Sequence, residues 1–321
     1  MKILITGCAG FLGFHLCEKI LKTHKKYKIV GIDNLNNYYS VFYKKKRLSF
    51  LKDKKNFQFH KIDISNFKKL EGVFKKNKFD FVINLAAQAG VRYSISNPKE
   101  YMYSNILGFF NIIELSRIYK IKKIYYASSS SVYGESKKFP IKETTITHPK
   151  NIYSLSKKNN EEIAEIYSRY YNIQFIGFRF FTIYGEWGRP DMLILKYILK
   201  CANKDTFYLN NYGNHYRDFT YVKDVVENIL ILTGKKIRKR HEIFNICSNN
   251  PVSIKWVLDK ISKEFGAPKI IKKPKQNADV YKTHGNNKKI NKITKFKNYT
   301  KINKGLKNVI EWAKLNIQYI K

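Results

Sequence analysis

Short apolar runs recur along this chain, each closed by small or polar residues and followed by a stretch of helical period. Ile3-Leu4-Ile5 breaks at glycines and continues as the amphipathic Phe14–Leu21. Lys28–Ile32 and Phe57–Ile62 are similar runs, the second followed by a helix pattern over 66–77. Phe79–Leu85 and Ile124–Ala127 repeat the theme, and a long helical pattern follows Tyr153. Strand-length runs alternating with helices predict the α/β class, a doubly wound parallel sheet covered on both faces. Beyond Tyr184 the pattern loosens into a smaller lobe. Val222–Leu232 reads as a helix and Ile243–Cys247 as a strand, both expected to return to the first lobe. The second lobe is therefore discontinuous: 1–178 plus about 220–248 against 179–219 plus 249–321.

The first break carries the first chemistry. Gly7, Gly10 and Gly13 stand between a strand and a helix, with Phe11 and Leu12 opening the helix. Bare backbone there lets a pyrophosphate approach amides and the positive helix end, as in a Rossmann dinucleotide-binding domain. The spacing is G-x-x-G-x-x-G rather than G-x-G-x-x-G, so three glycines alone are a weak signal. Asp33 strengthens it. This acid ends the next strand, twenty residues beyond Gly13, where a carboxylate accepts hydrogen bonds from an adenosine ribose and favours NAD over NADP. Asp63, followed by Ile64, lies past the third strand and either reaches an adenine amino group or caps the next helix. Leu85 belongs to the next apolar run, and the small Ala86 and Ala87 that follow leave room for a cofactor beside all three.

Composition changes the picture little. The 321 residues hold 62 Lys and Arg against 24 Asp and Glu, a formal charge of +38. That charge invites a nucleic-acid or membrane partner. Its even spread, without a docking motif, argues against one. The four cysteines show neither metal-ligand spacing nor a disulfide framework, so no metal is expected. No leader pattern opens the chain, and no apolar run approaches the roughly eighteen residues of a membrane span, so a soluble cytoplasmic protein is expected.

Four serines, Ser128–Ser131, follow the Ile124–Ala127 strand, at the end where open α/β sheets bind ligands. Tyr153 and Lys157 are four apart and share a helix face. An ammonium beside a phenol favours the phenolate, and a base working near neutral pH needs that help. Tyr-x-x-x-Lys alone is common; with the glycine turn and the serine loop upstream it becomes specific.

Together these motifs resemble the extended short-chain dehydrogenase/reductases, and within them the nucleotide-sugar epimerases and dehydratases. Ala86-Ala87-Gln88-Ala89-Gly90-Val91-Arg92-Tyr93-Ser94 and the stretch from Arg179 to Met192 resemble the UDP-glucuronate 4-epimerase branch. The resemblance implies a catalytic set of Ser129, Tyr153 and Lys157, and a tightly held NAD contacted also by Asn105. It implies oxidation of a UDP-sugar at C4 to a ketone, with the hydride returned to the opposite face. A 4-keto glucuronate is a β-keto acid, so its carboxylate must be controlled, and Ser130, Ser131 and Thr182 are candidates to hold it. Arg92, Arg189, Arg217 and Asp279 match positions around the nucleotide sugar. Relatives dimerise through a four-helix bundle, and the apolar faces of 105–119 and 161–171 fit such a homodimer. A 4,6-dehydratase or decarboxylase is the alternative; dehydratases usually carry Asp-Glu where this chain has Ser130-Ser131. A non-catalytic dinucleotide-binding regulator is the third reading, against which the intact Tyr-Lys pair counts. Asn84, Ser154 and Glu186 stand where the branch usually has histidine, glycine and proline. Glu186 is expected to add negative charge near the substrate lobe.

Overall fold

In a computed structural model that describes residues 1–276 and 279–320, strand and helix alternate as the apolar pattern predicts. The first half runs β1 (Lys2–Thr6), α1 (Phe11–Thr23), β2 (Lys28–Asp33), α2 (Val41–Lys52), β3 (Phe57–Lys61), α3 (Phe67–Lys75) and β4 (Phe81–Asn84). Single turns α4 (Tyr93–Ser96) and α5 (Pro98–Tyr101) follow, then a π-helical stretch (Met102–Leu107), α6 (Gly108–Ile118), β5 (Lys123–Ser129), α7 (Ile152–Tyr170) and β6 (Gln174–Phe180). The second half runs β7 (Thr182–Tyr184), α8 (Leu193–Ala202), β8 (Thr206–Asn210), β9 (Tyr216–Tyr221), α9 (Val222–Thr233) and β10 (His241–Ile246). It ends with β11 (Pro251–Ser253), α10 (Ile254–Phe265), β12 (Lys269–Lys273), α11 (Lys288–Thr294) and α12 (Ile302–Ile320).

Seven parallel strands form the main sheet in the order β10-β6-β5-β4-β1-β2-β3. The winding reverses between β1 and β4, so the loops leaving these neighbours diverge and open a crevice at their carboxyl ends. Alternation along β1 feeds both faces: Ile3 and Ile5 enter one core layer with α1 and α9, Leu4 the other with α3 and α6. Strands buried on both sides read as continuous apolar runs, which is why they were visible in the sequence.

The second lobe packs α8, α10 and α12 against the three-stranded β11-β9-β7 sheet, with β12 and β8 paired beside it. The lobes share elements. Ile290 of α11 packs with α9 and Phe244 of β10, so 288–294 sits with the first lobe rather than the second, because it covers the edge strand. Tyr43 of α2 does the reverse and joins the second lobe's core. Among the described residues, no helix is long and apolar enough to cross a membrane.

His15, on α1, is buried between Phe11 and Phe14, with Nε2 2.8 Å from the Glu186 carbonyl. Burial pushes its pKa down to about 4, so the folded protein holds it neutral. The unfolded chain protonates it near 6.5 and binds more protons between those values, so stability falls as pH drops from 6.5 towards 4. Replacing His15 with Gln is expected to shrink the stability difference between pH 7 and pH 5 by about 2 kcal/mol, measured by urea unfolding. An equal difference in parent and variant contradicts this.

Candidate active site

The glycine turn is shaped by lack of space. Gly7 has φ +70°, and a Cβ there would lie 2.8 Å from the Ala86 amide nitrogen, so the end of β1 touches the chain leaving β4. A Cβ on Gly13 would run into the Gly7 carbonyl, so α1 presses directly on the turn. Thr6 Oγ1 donates to Asn84 Oδ1 (2.5 Å) and accepts from the Ala86 amide (3.1 Å), which ties the two strand ends together and gives Asn84 its role. Asp33 accepts from the amides of Ala9 (3.1 Å) and Leu35 (2.8 Å), and burial raises its pKa.

Asp63 is not a helix cap. Asn66 caps α3 by accepting from the Lys69 amide (3.0 Å), while Asp63 accepts from Asn34 (2.7 Å) and from the amide and hydroxyl of Ser65. Burial alone would raise Asp63; these hydrogen bonds bring it below its usual value.

The serine loop and α7 meet across the crevice. Ser129 Oγ accepts from the amide (3.2 Å) and hydroxyl (2.8 Å) of Ser131 and lies close to the Tyr153 phenol. Asn151 and Ser154 form a reciprocal capping box that starts α7, so the serine found in place of glycine fixes the helix on which Tyr153 stands. Lys157 donates to the Ala127 carbonyl (2.9 Å), and burial lowers its amine to about 8. Burial raises Tyr153, while the nearby Ser129 hydroxyl and the charge of Arg189 pull it down. Lys157 makes no hydrogen bond to the phenol; its ammonium is held by the Ala127 carbonyl.

One cavity of about 710 Å³ joins these parts. Its walls hold Gly7, Gly10, Phe11, Leu12 and Gly13, then Asp33, Asp63 and Ile64, then Leu85, Ala86 and Ala87. They continue through Ser129, Ser130, Ser131, Tyr153 and Lys157 to Thr182, Arg189, Arg92, Arg217 and Asp279. Asn105 is the candidate that does not line it. Carried inward on the π-helical stretch, it accepts from the Gln88 amide (2.7 Å) and donates to the Gln88 carbonyl (3.0 Å) and to Ser156 (2.9 Å). It positions the wall without forming it.

At the far end, Arg92 pairs with Asp279 (2.8 Å), and burial lowers Arg217 to about 10 while its guanidinium donates to the carbonyls of Tyr216 and Tyr281. Arg189 pairs with Asp191, which also accepts from the Tyr38 hydroxyl (2.9 Å). Glu135 accepts from Lys150, Lys275 and the Tyr281 amide, which bring it down to about 2 despite burial and moor the chain around Asp279. Asn277 and Ala278, which precede Asp279, lie outside the described residues.

Glu186 does not reach the cavity. Its carboxylate accepts from Tyr221 (2.8 Å) and Lys223 (2.9 Å), so the expected negative charge beside the substrate is neutralised elsewhere. Lys44 was missed: buried in the wall, it donates to the carbonyl and side chain of Asn36 (2.6 Å each), and burial lowers it to about 8. Also missed was the buried pair of Arg179 and Glu161, which accepts from Ser128 Oγ (2.6 Å) behind the serine loop. The signal was present: Glu161 falls four residues after Lys157, on its helix face.

The chain matches the NAD dependent epimerase/dehydratase family over residues 3–247. It is 40% identical to protein CapI of Staphylococcus aureus over 97% of this chain and 98% of that one. It is 36% identical to a UDP-glucuronate 4-epimerase of Thermodesulfobacterium geofontis over 99% and 98%. A crystal structure of UDP-glucuronic acid 4-epimerase from Bacillus cereus, with UDP-glucuronic acid and NAD, superposes with a TM-score of 0.92 at 28% identity, covering 98% of this chain and 99% of that one.

Gly13→Ala forces a methyl into the Gly7 carbonyl, an overpacking expected to cost about 1–3 kcal/mol. Thermal unfolding of the variant checks this, and an unchanged midpoint would show that the turn has room to move.

Proposed function

Because the chain belongs to the NAD dependent epimerase/dehydratase family, we propose that it epimerises C4 of a UDP-sugar, UDP-glucuronate to UDP-galacturonate. One observation carries this reading: Tyr153 and Ser129 line a single cavity together with a glycine turn and a group of arginines. The turn suits a dinucleotide, since neither Gly7 nor Gly13 has room for a side chain and Asp33 sits beside it. When bound, NAD accepts the C4 hydride and returns it, and its oxidised form supplies positive charge beside the buried phenol.

The residues divide the work. Tyr153 takes the proton from the 4-hydroxyl as the hydride leaves C4, and gives it back when the hydride returns to the other face. Ser129 hydrogen-bonds the same oxygen. Lys157 holds the nicotinamide ribose, Asp33 the adenosine ribose, and Asp63 with Ile64 the adenine. Ser130, Ser131 and Thr182 hold the carboxylate with neutral donors, which let the ring turn where a bidentate arginine clamp would resist. Arg92, Arg189, Arg217 and Asp279 hold the UDP portion. Met102, Tyr103, Leu107 and Phe110 are exposed beside exposed Leu155, Ile166 and Tyr170 of α7, and this apolar face supports a homodimer through a four-helix bundle.

Purified protein given UDP-glucuronate is expected to yield UDP-galacturonate by NMR without carbon dioxide release. Release of carbon dioxide with a pentose product makes it a decarboxylase instead. Salt-dependent DNA binding with no sugar turnover makes it a regulator. Tyr153→Phe is expected to lower kcat about 10²- to 10⁴-fold; full activity in that variant removes Tyr153 from the chemistry.

A further inference from the structure

Arg47 is fully buried, yet among the described residues no carboxylate forms an ion pair with it. Nη1 donates to the Ala9 carbonyl (3.1 Å), inside the glycine turn, and to the Tyr39 hydroxyl (2.7 Å). Nη2 donates to the carbonyls of Trp187 (2.6 Å) and Gly188 (2.8 Å). A buried cation served by neutral oxygens and by the rings of Tyr39 and Tyr43, with no carboxylate, is a costly device. What it achieves is a link from the turn to a segment that lies 140 residues beyond Arg47 in sequence.

A second link runs parallel to the first. Tyr38, nine residues before Arg47, donates to Asp191 across the cavity rim, and both residues line the cavity. Asp191 is itself held by Arg189. Both links therefore join the stretch from Asp33 through α2 to the segment between β7 and α8. The first segment is stiff: Asp33 fixes Ala9 and Leu35, and Lys44 fixes Asn36.

We propose that Arg47, bridging to Trp187 and Gly188, and Tyr38, bridging to Asp191, form a clasp that retains the dinucleotide through turnover. The inference rests on the reading above, in which a hydride leaves and returns within one binding event. Loss of the cofactor between the two transfers strands the ketone, so a wall tied both beneath the turn and at the rim serves that chemistry. Arg47 and Tyr38 are positioning residues: neither acts on the sugar.

The test follows release of labelled NAD from the full-length protein, chased with unlabelled NAD. Tyr38→Phe deletes one hydroxyl and leaves its ring in place, and release is expected to quicken about three- to tenfold, with the unfolding midpoint of the nucleotide-free protein unchanged. Arg47→Lys keeps the charge but cannot reach all four oxygens, and is expected to release faster still; if it fails to fold, Tyr38→Phe decides. Tyr208→Phe, on an exposed strand, is the control and keeps the parent rate. Parent-rate release in Tyr38→Phe overturns the clasp, even where Arg47→Lys is fast, since a strut needed for folding then accounts for Arg47. A parent protein that retains no NAD overturns both the clasp and the proposed function, whereas retention in parent and variants alike overturns the clasp alone.

Discussion

The site hangs from a backbone contact: the Gly7 carbonyl lies where a side chain on Gly13 would be, and Gly7 itself lies against Ala86. Three elements, β1, α1 and the chain leaving β4, are thereby brought to van der Waals distance without an intervening side chain. The dipole end of α1 then faces the crevice that the reversal of strand order creates. The rest of the cavity is built outward from this point, through Asp33 on one side and Thr6 with Asn84 on the other.

Buried charge does the secondary positioning. Glu161 and Arg179 pair almost without solvent, and the same carboxylate accepts from Ser128, so the strand end that carries Ala127 and Ser129 is fixed from behind. Ala127 in turn holds Lys157, and Ser129 lies beside Tyr153. Replacing such a pair by apolar residues is often harmless to stability, so its presence beneath a serine loop points to orientation rather than to stability. The burial that orients these groups also opposes their ionisation: it raises Tyr153 and lowers Lys157. A phenol in that setting becomes basic only as positive charge arrives beside it.

What was legible in the sequence was local. Gly7 to Gly13, Asp33 and the Tyr153–Lys157 spacing each express their geometry within one strand, turn or helix, and strands buried on both faces announce themselves as apolar runs. What was not legible depends on distant partners. Arg47 stands among lysines and looks like a solvated helix face until Trp187 and Gly188 fold over it. Asn105 was expected on the cofactor, but the π-helical stretch turns it onto Gln88 and Ser156. Glu186 was expected to trouble the substrate, but Tyr221 and Lys223, unreadable as its partners, draw it away.

The evenly basic composition hides a polarity inside the cavity. Asp33 and Asp63 flank the glycine-turn end, where Lys44 stands beside Asp33 and backbone amides and a helix dipole add to the attraction for an anion. Arg92, Lys196, Arg217 and Lys282 gather at the other end, and of these Arg92 is paired, with Asp279. Carboxylates recognise the hydroxyls and amines of a nucleoside, while guanidinium and ammonium groups recognise a diphosphate. A dinucleotide and a nucleotide sugar have similar parts, and a cavity of uniform sign would accept either in either direction. On the proposed function, carboxylates at one end and a surplus of cations at the other separate the two ligands and set a nicotinamide against a sugar at Tyr153.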